Sequence, residues 1–119
     1  PSASSLHNLG LIYFETENYE KAAKAFEQAL KVEDQLAARH IAYAKVNEKL
    51  GNKTLMIQSL EKAVELEPTR ESLTLLLNAY IENNMIDEAK IVQRRLQRAE
   101  NSKTESPKAK VKRPRRVVV

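Results

Sequence analysis

The chain has 119 residues, 42% of them hydrophobic and 5% aromatic, with two glycines, four prolines and no cysteine. This composition favours a single all-helical domain; it excludes disulfides and thiol catalysis, and no apolar run approaches the roughly 20 residues of a membrane-spanning helix. The net charge of +4 is the sum of −2 over residues 1–100 and +6 over residues 101–119. Because the excess of basic residues lies in the last 19 positions, it does not indicate nucleic-acid binding by the domain as a whole.

Two helices are predicted in the first third of the chain. Apolar and small residues recur at helical spacing in two groups, separated by the polar stretch 15–18: Leu6, Leu9, Gly10 and Tyr13, then Ala22, Phe26, Ala29 and Leu30. The small residues Gly10, Ala22 and Ala29 permit close backbone approach, and Tyr13 and Phe26 are expected to fill the space between neighbouring helix pairs. This segment therefore predicts one helical hairpin.

The same pattern returns at a shift of 34 residues and again at a shift of 33. The second copy predicts helices over 37–50 and 53–66, with Gly51 as the C-cap of the first and Pro68 ending the second. The third copy predicts helices over 70–83 and 87–99. A helix of about 14 residues is only about 21 Å long, and one pair cannot enclose its own apolar face, so the pairs must stack.

These residues resemble the tetratricopeptide repeat over about residues 3–99. The resemblance is carried by Leu9, Gly10, Tyr13, Tyr19, Ala22, Phe26, Ala29, Ala63 and Pro68. The second copy departs from the pattern at His40, Asn47 and Met56, and the third has Gln93 where Phe26 stands in the first. The resemblance implies an α-solenoid of three antiparallel helix pairs, a right-handed superhelix with repeats at about 3–36, 37–69 and 70–100.

The family resemblance also implies a binding site, since such repeats usually bind a protein partner in a concave groove lined by the first helix of each pair. Carried over by position, the lining is His7, Leu11, Phe14, Glu15, Ile41, Ala42, Lys45, Glu48, Lys49, Thr74, Asn78, Ile81 and Glu82. The lining residues of each helix are spaced at i, i+4 and i+7, and they lie on a different helix face from the apolar residues expected in the core.

One branch of the family binds the acidic tails of heat-shock chaperones through Lys, Asn and Arg groups in this groove. The corresponding positions here are His7, Leu11, Ala42, Glu71 and Leu75, which supply no cationic cradle. We therefore expect a helical or extended peptide with apolar anchors instead. A structural alternative remains open, in which Leu11 and Phe14 contact a neighbouring repeat or a second copy of the chain.

Catalysis and metal binding have little basis in the sequence. His7 and His40 lie on separate predicted helices, and a metal site needs three or four converging ligands. The sequence shows no Gly-rich phosphate loop and no Ser-centred nucleophile motif. We therefore expect a non-catalytic adaptor without a cofactor or a metal.

The final segment, residues 101–119, is predicted to be a disordered basic tail because its composition cannot bury enough apolar surface. Its basic side chains in the second half are Lys108, Lys110, Lys112, Arg113, Arg115 and Arg116. The run 112–116 resembles a nuclear import signal; it equally suits nucleic acid, an anionic or acidic surface, or a solubilising role.

Self-association is a further alternative, through Val92 and Leu96 on the open face of the last helix.

Overall fold

The protein, described over residues 1–101 by a computed structural model, is a row of six helices with no strand in that range. The helices are α1 (Ala3–Glu15), α2 (Tyr19–Val32), α3 (Ala37–Leu50), α4 (Lys53–Leu66), α5 (Arg70–Glu82) and α6 (86–101). The short connections make consecutive helices antiparallel neighbours, as the all-α solenoid prediction requires. None of the described helices is both long and apolar enough to cross a membrane.

The predicted helix boundaries agree closely with the structure. The helices expected over 37–50 and 53–66 have those bounds, and the one expected over 70–83 ends at Glu82. The helix expected over 87–99 begins one residue earlier and continues to residue 101. The predicted tail otherwise lies outside the described residues.

The turn inside each helix pair repeats the same backbone geometry. Glu17, Gly51 and Asn84 have positive φ angles of 63°, 80° and 59°, and they stand at the 34- and 33-residue shifts of the sequence repeat. In each turn the amide of the following residue donates to a carbonyl five residues back at 2.8 Å, as in Asn52 N–H to Asn47 O. This bond is the helix-terminating Schellman pattern, which favours glycine at the left-handed position.

Substitutions at Glu17 and Gly51 should change the free energy of unfolding in opposite directions. Glu17→Gly should raise the free energy of unfolding by about 0.5–1 kcal/mol, because glycine adopts positive φ without the side-chain penalty. Gly51→Ala should lower it by about 1 kcal/mol, since nothing lies within 4 Å of the added Cβ and only the backbone strain counts. Urea unfolding followed by circular dichroism measures both, and equal shifts of the same sign would contradict the turn assignment.

The first helix pair packs around Phe26, which is 1% exposed. A Cβ built on Gly10 would lie 2.5 Å from Cε1 of the Phe26 ring, so α1 and α2 approach at a place that only glycine allows. Ala22 of α2 and Val46 of α3 complete this buried cluster. Phe26 thus packs between the first helix pair and α3 of the second pair, with Tyr13 beside it, as predicted.

A larger buried cluster joins the second and third helix pairs. It contains Ala44, Met56, Leu60, Val64, Leu73, Leu76, Ala79, Tyr80, Ala89 and Val92. Because Ala44 and Val46 both lie on α3, that helix takes part in both clusters and links the first pair to the rest. The three pairs thus share one stacked interior rather than folding as separate bodies.

Two predictions about apolar residues are wrong. Leu9, expected on the buried face of α1 with Gly10, is exposed, because the contact with Phe26 turns Gly10 and not Leu9 inward. Val92, expected to form an open apolar end, is only 4% exposed, and Leu96 packs against the same cluster. Self-association through that face therefore loses its basis.

Asn47 shows how the second copy tolerates its departure from the repeat pattern. It stands where Tyr13 and Tyr80 stand in the other copies and is almost fully buried. Its side-chain amide donates to the Tyr43 carbonyl at 2.8 Å, and its side-chain oxygen accepts from Asn52 Nδ2 at 3.2 Å. A buried amide with both ends hydrogen-bonded costs little.

Candidate functional site

A hollow of about 570 Å³ opens between α1 and α3 and reaches the start of α5. Its lining consists of His7, Leu11, Phe14, Glu15, Phe26, Ala38, Ile41, Ala42, Lys45 and Glu71. The volume is within the range of ligand-binding clefts. The three helices that supply the rim are the first helices of the three pairs, as the repeat resemblance implies.

A smaller hollow of about 140 Å³ adjoins the first between α3 and α5. Met56 and Leu60 form its floor, and Lys45, Glu48, Asn78 and Glu82 lie around it, together with Ala44, Leu75 and Ala79. Lys45 lines both hollows, so they form one surface along α1, α3 and α5. We call this surface the concave groove.

The concave groove combines apolar side chains with an excess of carboxylates. Leu11 is 42% exposed although it lies in the groove, and Phe14 and Ile41 are half-buried beside it. Four glutamates line the two hollows, namely Glu15, Glu48, Glu71 and Glu82, against the single basic side chain of Lys45. The groove therefore presents apolar contact area within a negative field.

His7 lies at one end of the groove, against the core. Its ring centroid is 5.3 Å from that of Phe26, and its buried Nδ1 has no hydrogen-bond partner within residues 1–101. Burial, and secondarily the charge of Arg39, lower the pKa of His7 below 6.5. Arg39 is itself buried, and its Nη1 donates to the Ala3 carbonyl at 3.1 Å. His7 is therefore neutral at physiological pH and does not reduce the negative charge of the groove.

Acidification should destabilise the fold through His7. Because the His7 pKa is lower in the folded chain than in the unfolded chain, the unfolded chain takes up a proton at a higher pH. The contribution of neutral His7 to the free energy of unfolding is therefore complete above pH 6.5 and is lost as the pH falls through the folded-state pKa. A His7→Gln variant should lose less stability between pH 7 and pH 5 than the parent chain. The Cε1 proton of His7 should titrate below 6.5 by NMR, and a midpoint above that value would contradict the burial argument.

Seven of the eight predicted partner-binding residues line one of the two hollows. These are His7, Leu11, Phe14, Ile41, Lys45, Glu48 and Asn78. Ile81 is exposed on α5 but lines neither hollow. Lys49 on α3 and Thr74 on α5 are also exposed and line neither hollow.

The position of Ile81 follows from the helical period. The groove face of α5 consists of Leu75, Asn78, Ala79 and Glu82, spaced by three, one and three residues. At 100° per residue, Ile81 points roughly 110° away from the centre of that face.

Ala38 lines the larger hollow but was not predicted from the sequence, although two features of the sequence indicate it. It lies three residues before Ile41 on α3, and it is the second-copy equivalent of Glu71 at the 33-residue shift.

No three of the His, Asp and Glu side chains in residues 1–101 are arranged to hold a metal ion. The predicted basic-tail residues, from Lys108 to Arg116, lie outside the described part of the chain.

Models of the tetratricopeptide repeat match residues 3–36 and 38–70. No curated protein matches the sequence. Two crystal structures of MamA are each 21% identical to this chain, with TM-scores of 0.79; the similarity covers 87% of this chain and 61% and 57% of the MamA chains. The chain thus spans less than two thirds of MamA.

A third similar structure is the first TPR of Spaghetti (RPAP3) bound to the HSP90 peptide SRMEEVD. It is 17% identical to this chain, with a TM-score of 0.71, and the similarity covers 99% of this chain and 97% of that one. At these identities the likeness concerns the fold. Two matched repeats span more than half of the chain, and a third helix pair stacks on them in the same register. The chain belongs to the tetratricopeptide repeat family of protein-binding helical repeats.

Proposed function

We propose that this chain is a non-catalytic adaptor whose concave groove binds an extended or helical peptide segment carrying apolar and basic side chains. The observation that supports this most is the composition of the groove: an apolar centre at Leu11, Phe14 and Ile41, with glutamates on both sides.

The apolar centre supplies the affinity in this proposal. A Leu side chain that remains 42% exposed within a concave surface still has area to bury against a partner, at about 25 cal/mol per Å² of apolar area. Side chains in a groove can be enclosed on several sides, which is where binding hot spots form. The groove accordingly favours peptides with a large apolar side chain that enters beside Leu11.

The charged side chains of the groove determine which of these peptides are attracted and which are repelled. An acidic segment would meet Glu15 and Glu71 in the larger hollow, with only Lys45 to offset them. A basic segment would be attracted, and it would associate faster at low salt. We therefore expect SRMEEVD, the peptide bound by the RPAP3 repeat, to bind this chain poorly.

A displayed peptide library tests the proposal directly. Peptides of about 12 residues would be selected on the immobilised full chain, after depletion on a Leu11→Lys variant. Leu11→Lys removes an apolar anchor and adds a positive charge to the groove. The proposal predicts enriched sequences that combine Leu, Ile, Val or aromatic residues with Lys or Arg.

The selection also has clear opposing results. Enrichment of acidic sequences, or an equal recovery on both proteins, would contradict the proposed groove. A tightly binding SRMEEVD peptide would contradict its charge preference.

The competing prediction is binding of nucleic acid or an anionic surface through the basic tail. Binding to duplex DNA would weaken steeply with salt, with a log–log slope of about −0.9 per phosphate contact. It would not depend on Leu11, so the same variant separates the two functions.

A further inference from the structure

We infer that residues 107–119 of this chain occupy the concave groove of the same molecule and must leave before a partner peptide can bind. The inference rests on the proposed function, because it assigns a resident ligand to the proposed binding surface. It makes the basic tail a regulator of the groove.

The tail and the groove carry opposite charges. Residues 101–119 carry seven basic groups and one glutamate, whereas the two hollows are lined by four glutamates and one lysine. The remainder of the chain, residues 1–100, has a net charge of only −2. The carboxylates of the groove are therefore concentrated where a basic segment would gain most from them.

The end of the tail also combines the two kinds of side chain that the groove favours. The segment ends in Val117, Val118 and Val119, directly after Arg115 and Arg116. Apolar side chains adjacent to basic ones are the combination that the groove favours, with Leu11 and nearby side chains exposed between glutamates. The tail thus has the features that the proposed function requires of a partner peptide.

The last residues of α6 lie close to the groove. Arg70 Nη1 lies 2.8 Å from Glu100 Oε2, so the end of α6 lies beside the start of α5. The residue after Arg70 is Glu71, which lines the larger hollow. The tail therefore leaves the helical domain next to the groove rather than at the opposite edge.

The chain length between these points is sufficient. Ten residues, 102–111, precede the basic run that starts at Lys112, and they can span up to about 33 Å when extended. Crossing from α5 to α1 requires two helix–helix spacings, about 20 Å in total. The linker is therefore long enough for Lys112 and the residues after it to reach the larger hollow.

Tethering makes even a weak contact effective. A short flexible linker gives an effective concentration on the order of 1 mM. If the isolated segment bound with a Kd of about 100 µM, tethering would weaken the binding of an added peptide about tenfold. The groove would then open to partners that bind more tightly than the tail.

The test compares three full-length chains. The tail variant carries Arg113→Glu, Arg115→Glu and Arg116→Glu. The control carries Lys24→Glu, Lys53→Glu and Lys90→Glu, the same charge change at exposed positions on α2, α4 and α6. The probe is a fluorescently labelled peptide of residues 107–119, measured by anisotropy, with amide chemical shifts of each ¹⁵N-labelled protein recorded without the probe.

We expect the probe to bind the tail variant at least tenfold more tightly than it binds the parent chain or the control. The amide shifts of Leu11, Ile41 and Lys45 should differ between the parent and the tail variant, match between the parent and the control, and be independent of protein concentration.

Equal probe affinities for the tail variant and the control would overturn the inference. Shifts that change on dilution would also overturn it, because they would assign the tail to a second copy of the chain. If the probe fails to bind while library-selected peptides still bind in a Leu11-dependent manner, the inference is wrong and the proposed function stands. If no selected peptide binds at all, the proposed function itself is wrong.

Discussion

Phe26→Ala is expected to lower the free energy of unfolding by about 3–5 kcal/mol, a large share of the stability of a small domain. Phe26 is 1% exposed and contacts both α1 and the cluster that includes Val46 of α3. Its removal opens a cavity between the first and second helix pairs. Urea unfolding monitored by circular dichroism would measure the loss.

Gly10 supplies a partner mutation that makes this prediction specific. In the parent chain, Gly10→Ala should be destabilising by about 1–3 kcal/mol, because the new Cβ overlaps the buried Phe26 ring and one of the two must shift. In the Phe26→Ala background the same change should be neutral or stabilising by up to about 1 kcal/mol, since alanine is the better helix former and the ring is gone.

The difference between the two backgrounds is a coupling energy, which a double-mutant cycle isolates. Additive effects of Gly10→Ala and Phe26→Ala would mean that the glycine–ring contact does not set the distance between α1 and α2. The packing account of the first repeat would then be incorrect.

Leu11→Lys is expected to weaken binding of a library-selected peptide by at least about 30-fold, the loss typical of a central hot-spot residue. The change removes apolar contact area at the centre of the larger hollow and places a positive charge where a basic peptide would bind. Titration calorimetry with the selected peptide measures this loss.

Ile12→Lys is the matched control for this experiment. Ile12 is the next residue on α1 and is 57% exposed, but it does not line either hollow. The same substitution there should leave the affinity within about twofold, as for surface changes away from a site. Equal losses from the two variants would show that the peptide does not use the groove face of α1.

The repeat determined how much of the fold could be predicted. A fixed shift of 34 or 33 residues aligns turns, small residues and helix ends across three copies, so the helices over 37–50 and 53–66 could be bounded correctly. The left-handed backbone at Glu17 and Asn84 was not predicted, because Glu rarely adopts a positive φ and Asn adopts it less readily than Gly51 does. Both positions align with Gly51 in the sequence repeat, and that alignment is the feature that indicates a left-handed turn at each of them.

Side-chain exposure was harder to predict than helix position. Leu9 and Gly10 are adjacent, and the apolar period accommodates either on the buried face of α1; the contact between Gly10 and Phe26, which is made between helices, decides which one faces inward. Ile81 is a different case: it was placed in the groove by its position in the repeat family, whereas the helical period itself turns it away from the face of α5 that contains Asn78. Local periodicity cannot resolve choices that depend on packing between helices.

The most direct test of the account is to map where a selected peptide contacts the ¹⁵N-labelled full chain. If the concave groove binds the peptide, chemical-shift changes should be concentrated on α1, α3 and α5 and be largest around Leu11, Ile41 and Lys45, with the outer faces of α2 and α4 little changed. Changes concentrated on the outer faces of α2 and α4, or confined to residues 102–119, would contradict the concave groove as the binding surface.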